Sequence, residues 1–177
     1  LLESRDVDIY VTGSNSKLMS AEISTYLTGR YVSVPVYTLS FREYLAFKSD
    51  SSLSEKGLLE EYIRFGGFPI IALSDYEAQS AYQIVNGIYH TVVSRDIVKR
   101  HRINKQDLFD RVVKYIIENM GKTFSANSIV AFLKNEKRSM SVETVYNYLK
   151  WLSDAFVVYP CRRYDIQGKT ILKTQEK

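Results

Sequence analysis

Between residues 107 and 155 the chain presents an apolar stripe at helical spacing three times over, each stripe bounded by a cap or turn residue. In residues 107–120 the stripe is Leu108, Val112, Val113, Ile116 and Ile117, closed by Gly121. Ser125 is placed to cap a second helix over residues 126–134, with Ile129, Phe132 and Leu133 inward. Residues 135–140 then read as a turn, and Ser141 opens a third helix that runs to Ala155. Thr144, three residues after Ser141, is not the Glu or Gln of a capping box, but serine caps by itself. Val142, Val145, Leu149 and Leu152 share one face of this helix, while Glu143, Thr144, Asn147 and Lys150 lie largely on the other. Two β-rich segments follow, residues 156–166 and 169–174, with Gln167-Gly168 as a tight turn between them. Three helices and a hairpin in that order predict a winged helix, whose third helix can enter a DNA major groove while the wing touches backbone or minor groove.

Charge separates the same region from the rest. Residues 1–90 hold 7 Lys and Arg against 11 Asp and Glu, whereas residues 91–177 hold 17 against 9. The modest overall charge of +4 therefore hides an acidic half and a strongly basic one, so a polyanionic partner would meet the carboxyl half. The plain alternative is a solvated basic surface. An apolar content of 45% excludes disorder of the whole chain, and 177 residues allow one domain or two small ones. Cys161 is the sole cysteine, which rules out an intrachain disulfide and a cysteine-rich zinc site and makes a reduced cytoplasmic setting the expectation. His90 and His101 have neither a cysteine partner nor a histidine at metal-ligand spacing, so no metal site is expected. Apolar runs such as residues 68–73 are far too short to span a membrane.

The amino-terminal part reads differently. Val7, Ile9 and Val11 alternate with other residues and lead into Thr12-Gly13-Ser14-Asn15, the pattern of a short strand that delivers small polar groups to its carboxyl end. A helix carrying Leu18, Ile23 and Leu27 follows, then Gly29-Arg30, an expected strand over residues 31–37, and the segment TLSFREYL. Residues 48–56 form a Ser- and Asp-rich break. Leu58, Leu59, Tyr62, Ile63 and Phe65 then predict a short amphipathic helix stopped by Gly66-Gly67, with Pro69 beyond, and a second helix spans about residues 74–98.

Taken in order, TGSNSKLMS, YLTGRY, LSFREYL, GGFP and the Ser125-Ala126-Asn127-Ser128-Ile129 helix start resemble prokaryotic AAA-type P-loop ATPases with a carboxyl-terminal winged helix. The resemblance implies an α/β plus mainly α chain: the end of a P-loop ATPase sheet in residues 1–50, a helical lid and linker in 51–104, and a winged-helix domain in 105–177. It makes Ser14 or Asn15 a sensor of the terminal phosphate, and Arg30 an arginine finger supplied within or between subunits. The plain readings of these residues are a turn with a helix cap and a surface salt bridge. ATP and magnesium are implied for a parent protein, which would oligomerise if Arg30 acts between subunits. Full-length relatives continue into a restriction-endonuclease-like domain. No GxxxxGK[ST] loop or acid-ended apolar strand occurs, Leu1 is not Met, and the last segment stops without a cap, so the expectation is an internal piece with no cofactor or nucleotide hydrolysis of its own.

For DNA, Thr144, Asn147 and Lys150 offer groove-reading groups, and Asn can pair bidentately with adenine. Lys137, Arg138, Arg162, Arg163, Lys169 and Lys173 are placed to hold phosphates around them. The basic run Arg95, Lys99, Arg100, His101, Arg102 and Lys105, interrupted by Asp96, suits phosphates, an acidic protein surface or plain solvation. The competing class is a non-enzymatic protein-docking or transcription-regulatory module, for which Tyr146, Tyr148 and Trp151 would be exposed aromatic anchors.

Overall fold

A computed structural model describes residues 8–10, 12–13, 32–123 and 125–161. Its regular elements are all helical: α1 Phe41–Phe47, α2 Glu55–Phe65, α3 Pro69–Ala72, α4 Ala78–Thr91, a π-helical turn pair Val92–Lys99, α5 Gln106–Glu118, α6 Ala126–Asn135 and α7 Val142–Asp154.

That corrects the expected α/β class, because no strand or sheet occurs among the described residues. Val32, Val34 and Val36 are 87%, 74% and 88% exposed, and Ser33, Pro35 and Tyr37 on the alternate side are exposed as well. A strand needs a partner strand for its backbone groups and a core for one of its faces, and among the described residues 32–36 are paired with no strand and bury neither face. Pro35 also lacks a ladder donor. Alternating valines record a preference for pleated surface, which is expressed only where such a surface exists. Ile9 and Tyr10 are likewise exposed and irregular, and residues 156–161, the start of the expected hairpin, form no strand. The remainder of that hairpin and the helix expected after Asn15 lie outside the described residues.

Residues 31–93 make up one compact unit. Ser40 begins α1 with a full capping box: its side chain accepts from the Glu43 amide, and the Glu43 carboxylate accepts from the Ser40 amide at 2.8 Å. Tyr44, Leu58 and Ala72 are buried together, with Leu39, Phe41, Leu45 and Tyr62 packed around them. A second cluster joins Phe65, Ile71 and Ala81 with Phe68, Ile84 and Val85. The Ser-rich residues 48–56 therefore lie within this unit, since α1 and α2 on either side of them share a core. Gly66 ends α2 at φ 79°, and Pro69, expected only to stop the helix, instead starts α3 at a position where its missing N–H costs nothing. At Gly67 a Cβ would lie 2.1 Å from the Leu39 carbonyl oxygen. The Leu39 amide donates to the Gly67 carbonyl at 2.7 Å, and the Tyr62 hydroxyl donates to the Leu39 carbonyl at 2.8 Å. Gly67 is thus required by close backbone approach.

Residues from Ser94 onward belong to another unit. Its core is Ile97, Phe109, Val112, Ile129, Leu133, Val145 and Leu152, all fully buried. Phe109 packs edge-on against Tyr148 at 5.0 Å, and Tyr115 meets Phe132 at 5.0 Å. Three of its helical segments end alike. The amides of Ile103, Arg138 and Val157 donate five residues back to Val98, Leu133 and Leu152, and the residues before them, Arg102, Lys137 and Phe156, stand at φ 51°, 59° and 57°. These are Schellman ends, with a non-glycine residue in the left-handed position each time.

Candidate nucleic-acid interface

The interface is built on α7. Ser141 caps it, its hydroxyl accepting from the Thr144 amide at 3.1 Å and lying 2.8 Å from the Thr144 hydroxyl. Burial of Val145, Tyr148 and Leu152 fixes which side of the helix faces inward. Glu143, Tyr146, Asn147 and Lys150, three and four residues apart, are left exposed on the opposite side. The turn that leads into α7 is tied to α5 by two ion pairs, Arg111 with Glu136 and Arg138 with Asp107. Together these contacts hold one helix face outward on a fixed scaffold, which is what a groove-entering helix requires.

The candidate residues divide accordingly. Asn147 and Lys150 lie together on the exposed face of α7. Thr144 is half-buried at the cap with its hydroxyl already engaged, so it offers less to a groove than its position in the sequence suggests. Arg138 is engaged with Asp107, whereas Lys137 is exposed in its left-handed turn position. Ser14, Asn15, Arg30, Arg162, Arg163, Lys169 and Lys173 lie outside the described residues.

The aromatic anchors are corrected by the structure. Tyr148 is only 6% exposed and belongs to the core, displacing Leu149, which is half-buried. Burial, with the Asp107 carboxylate nearby, raises the Tyr148 phenol above its ordinary value. Trp151 is half-buried, with the His101 ring stacked on it at 4.1 Å and 8° between planes. Of the three, Tyr146 alone is properly exposed. The spacing of Val145, Tyr148 and Leu152 is the sequence signal for the true inner face.

A second polar cluster, missed in the sequence, belongs to the unit of residues 31–93. Lys48 is nearly buried, and its ammonium group donates to Asp75 at 3.1 Å and to the Ser74 carbonyl at 3.2 Å, with Glu61 at 3.7 Å. The Tyr44 hydroxyl donates to Glu61 at 2.9 Å, and burial with that carboxylate moves the phenol well above its usual range. Every charge here has a partner, so the cluster ties α1 and α2 to the segment after α3 and leaves no group unengaged for chemistry. Among the described residues no group of three or more His, Cys, Asp or Glu is placed to hold a metal ion. Among them, too, no helix is long and apolar enough to cross a membrane.

Comparison with known proteins adds the family. Residues 1–45 match the model of an AAA domain, so the amino-terminal part is related to AAA-type ATPases. An uncharacterized protein of Haemophilus influenzae is 37% identical over 98% of this chain, and one of Methanocaldococcus jannaschii is 35% identical over 96% of it. The chain spans 44% and 40% of the length of these two relatives. No solved structure matches it. Residues 56–177, which take in all but the first residue of α2, then α3 to α7 and the whole candidate interface, match the model described as a domain of unknown function, DUF8612, and the chain belongs to that family.

Proposed function

We propose that this chain is the DNA-binding part of an ATP-dependent protein, with α7 as the helix that enters the groove. The observation that carries the reading is the outward face of α7, where Asn147 and Lys150 stand exposed on a capped and clamped helix in the basic half of the chain. Lys150 supplies a phosphate or guanine contact, and Asn147 supplies a bidentate adenine contact. The order α5, α6, α7 suits a helical DNA-reading module, to which Arg162, Arg163 and Lys169 further along the sequence would add contacts with the DNA backbone. ATP and magnesium enter through the AAA-domain match alone, and Ser14, Asn15 and Arg30 are the candidate sensor and finger for the nucleotide in the longer protein.

Docking of a protein partner through α7 is the weaker reading. Two of its three proposed anchors, Tyr148 and Trp151, are already engaged within the unit. Selection of bound duplexes from a random pool tests the choice: enrichment of a site whose preference is lost in Asn147→Ala supports groove reading. Recovery of no duplex above background, even at low salt, would exclude it.

A further inference from the structure

The π-helical turns and the connector that joins them to α5 carry Arg95, Lys99, Arg100, Arg102 and Lys105, all exposed. No carboxylate among the described residues pairs with any of them. Elsewhere among the described residues of this unit, Arg111, Lys114 and Arg138 are paired with Glu136, Glu118 and Asp107, while Lys122, Lys134, Lys137 and Lys150 are exposed singly along the helices and turns. Asp96 apart, the charges in these eleven residues are alike and repel one another, so the fold gains little from holding the cations together. In a π-helix the hydrogen bonds join residues five apart, so residues four and five apart are neighbours, and Arg95 lies beside Lys99 and Arg100 on the side opposite buried Val93 and Ile97.

Arg102 adds an independent observation. It occupies the left-handed position of a Schellman end at φ 51°, with its own amide donating to the Lys99 carbonyl and the Ile103 amide to Val98 at 3.0 Å. Glycine adopts this conformation with less strain, and the Arg102 side chain is exposed and makes no contact that repays the difference. Lys137 and Phe156 stand at the same position of their own Schellman ends, and at Arg102 that position holds a guanidinium at the surface. The connector is also fixed in place, since Ile97 and Ile103 are buried and the neighbouring His101 ring stacks on Trp151 of α7.

From this we infer that the connector is a phosphate-binding track for duplex DNA, a sequence-independent grip that accompanies reading by α7. The inference rests on the DNA-binding reading of α7. It assigns the principal backbone contacts to Arg95, Lys99, Arg100, Arg102 and Lys105, in place of the ion-paired Arg138. Each phosphate contact neutralised releases counterions, so the logarithm of affinity falls with the logarithm of salt by about 0.9 per contact.

The test uses the whole 177-residue chain, a duplex of random sequence and a salt titration read by fluorescence anisotropy. Changing Arg95, Lys99, Arg100 and Lys105 together to Gln should weaken binding at least tenfold at low salt and flatten the salt slope by roughly 3 to 4. Arg102→Gly should raise the thermal midpoint by roughly 2 to 4 °C while flattening the slope by about 1, and Arg102→Lys should keep the slope. If the four-residue variant binds with native slope while Lys150→Ala weakens binding, the DNA reading stands and the track is wrong. If the native chain binds no duplex at low salt, both fail. A lowered midpoint in Arg102→Gly would remove the strain argument and count against the track.

Discussion

In residues 31–93 a buried lysine is held by carboxylate partners of its own unit, whereas in residues 94–161 cations gather on exposed segments. In the first unit, Lys48 is enclosed by Glu61, Asp75 and a backbone carbonyl, Glu43 closes the capping box of α1, and Arg64 donates to Tyr82 at 2.7 Å while lying over two aromatic rings. In the second unit three ion pairs of described residues lie within α5 or join it to the α6–α7 turn, and none of them includes a cation of the connector or of the outer face of α7. Internally satisfied charge holds a fold together. Uncompensated charge on a rigid frame is left to water or to a partner, and this difference directs the functional reading to the second unit.

The largest expected effect is at Gly67. An added methyl would meet backbone rather than a flexible side chain, so Gly67→Ala must move either the Leu39 segment or the turn itself. A destabilisation of about 3 kcal/mol or more is expected, at the upper end for overpacking. Trp151 is the sole tryptophan and belongs to the other unit, so its fluorescence reports that unit while circular dichroism reports both. Loss of helical signal well below the tryptophan transition would place the damage in residues 31–93; coincident native-like transitions would show that the close approach is dispensable.

Next is Lys48→Ala. It strips a cation from Glu61 and removes buried methylenes, and a loss of about 2 kcal/mol is expected in denaturant titration, reduced from a fully buried pair because Asp75 is exposed. Lys48→Met should recover part of it by restoring volume. Equal losses for the two substitutions would mean that charge alone matters. At α7 the contrast should invert: Asn147→Ala should leave stability within about 0.5 kcal/mol of native yet cost about 1 to 3 kcal/mol of preference for the best DNA site. A large fall in stability would make Asn147 part of the fold.

The smallest effect concerns alkali. Folding raises the Tyr44 phenol, so the native state holds that proton more tightly than the unfolded chain does. The contribution is complete below the unfolded value of about 10 and is lost as pH rises above it toward the folded value. Denaturant midpoints measured between about pH 9 and 11 should therefore fall less steeply in Tyr44→Phe than in the native chain. Identical slopes would show that the Tyr44–Glu61 contact does not persist in solution.

Helices were legible in the sequence because burial writes a period of 3.6 into it. The stripes of α2, α5, α6 and α7 and the caps Ser125 and Ser141 sufficed to locate them. Two things were not legible. Valine alternation at residues 32–36 signals strand preference, but a sheet depends on partners that no local pattern reports. The partners of Lys48 stand 13 and 27 positions along the chain, and only packing brings them together. At the candidate interface, Asn147 and Lys150 followed from helical phase alone, whereas Thr144, Tyr148 and Trp151 were drawn into capping, core and stacking contacts that depend on tertiary neighbours.

The most direct measurement is the salt dependence of duplex binding by the native chain. Uncompensated charge on residues 94–161 as a DNA surface requires binding at low ionic strength that weakens steeply as salt rises, with a log–log slope of magnitude about 4 or more. Binding with a slope near zero, or none at low salt, would contradict it.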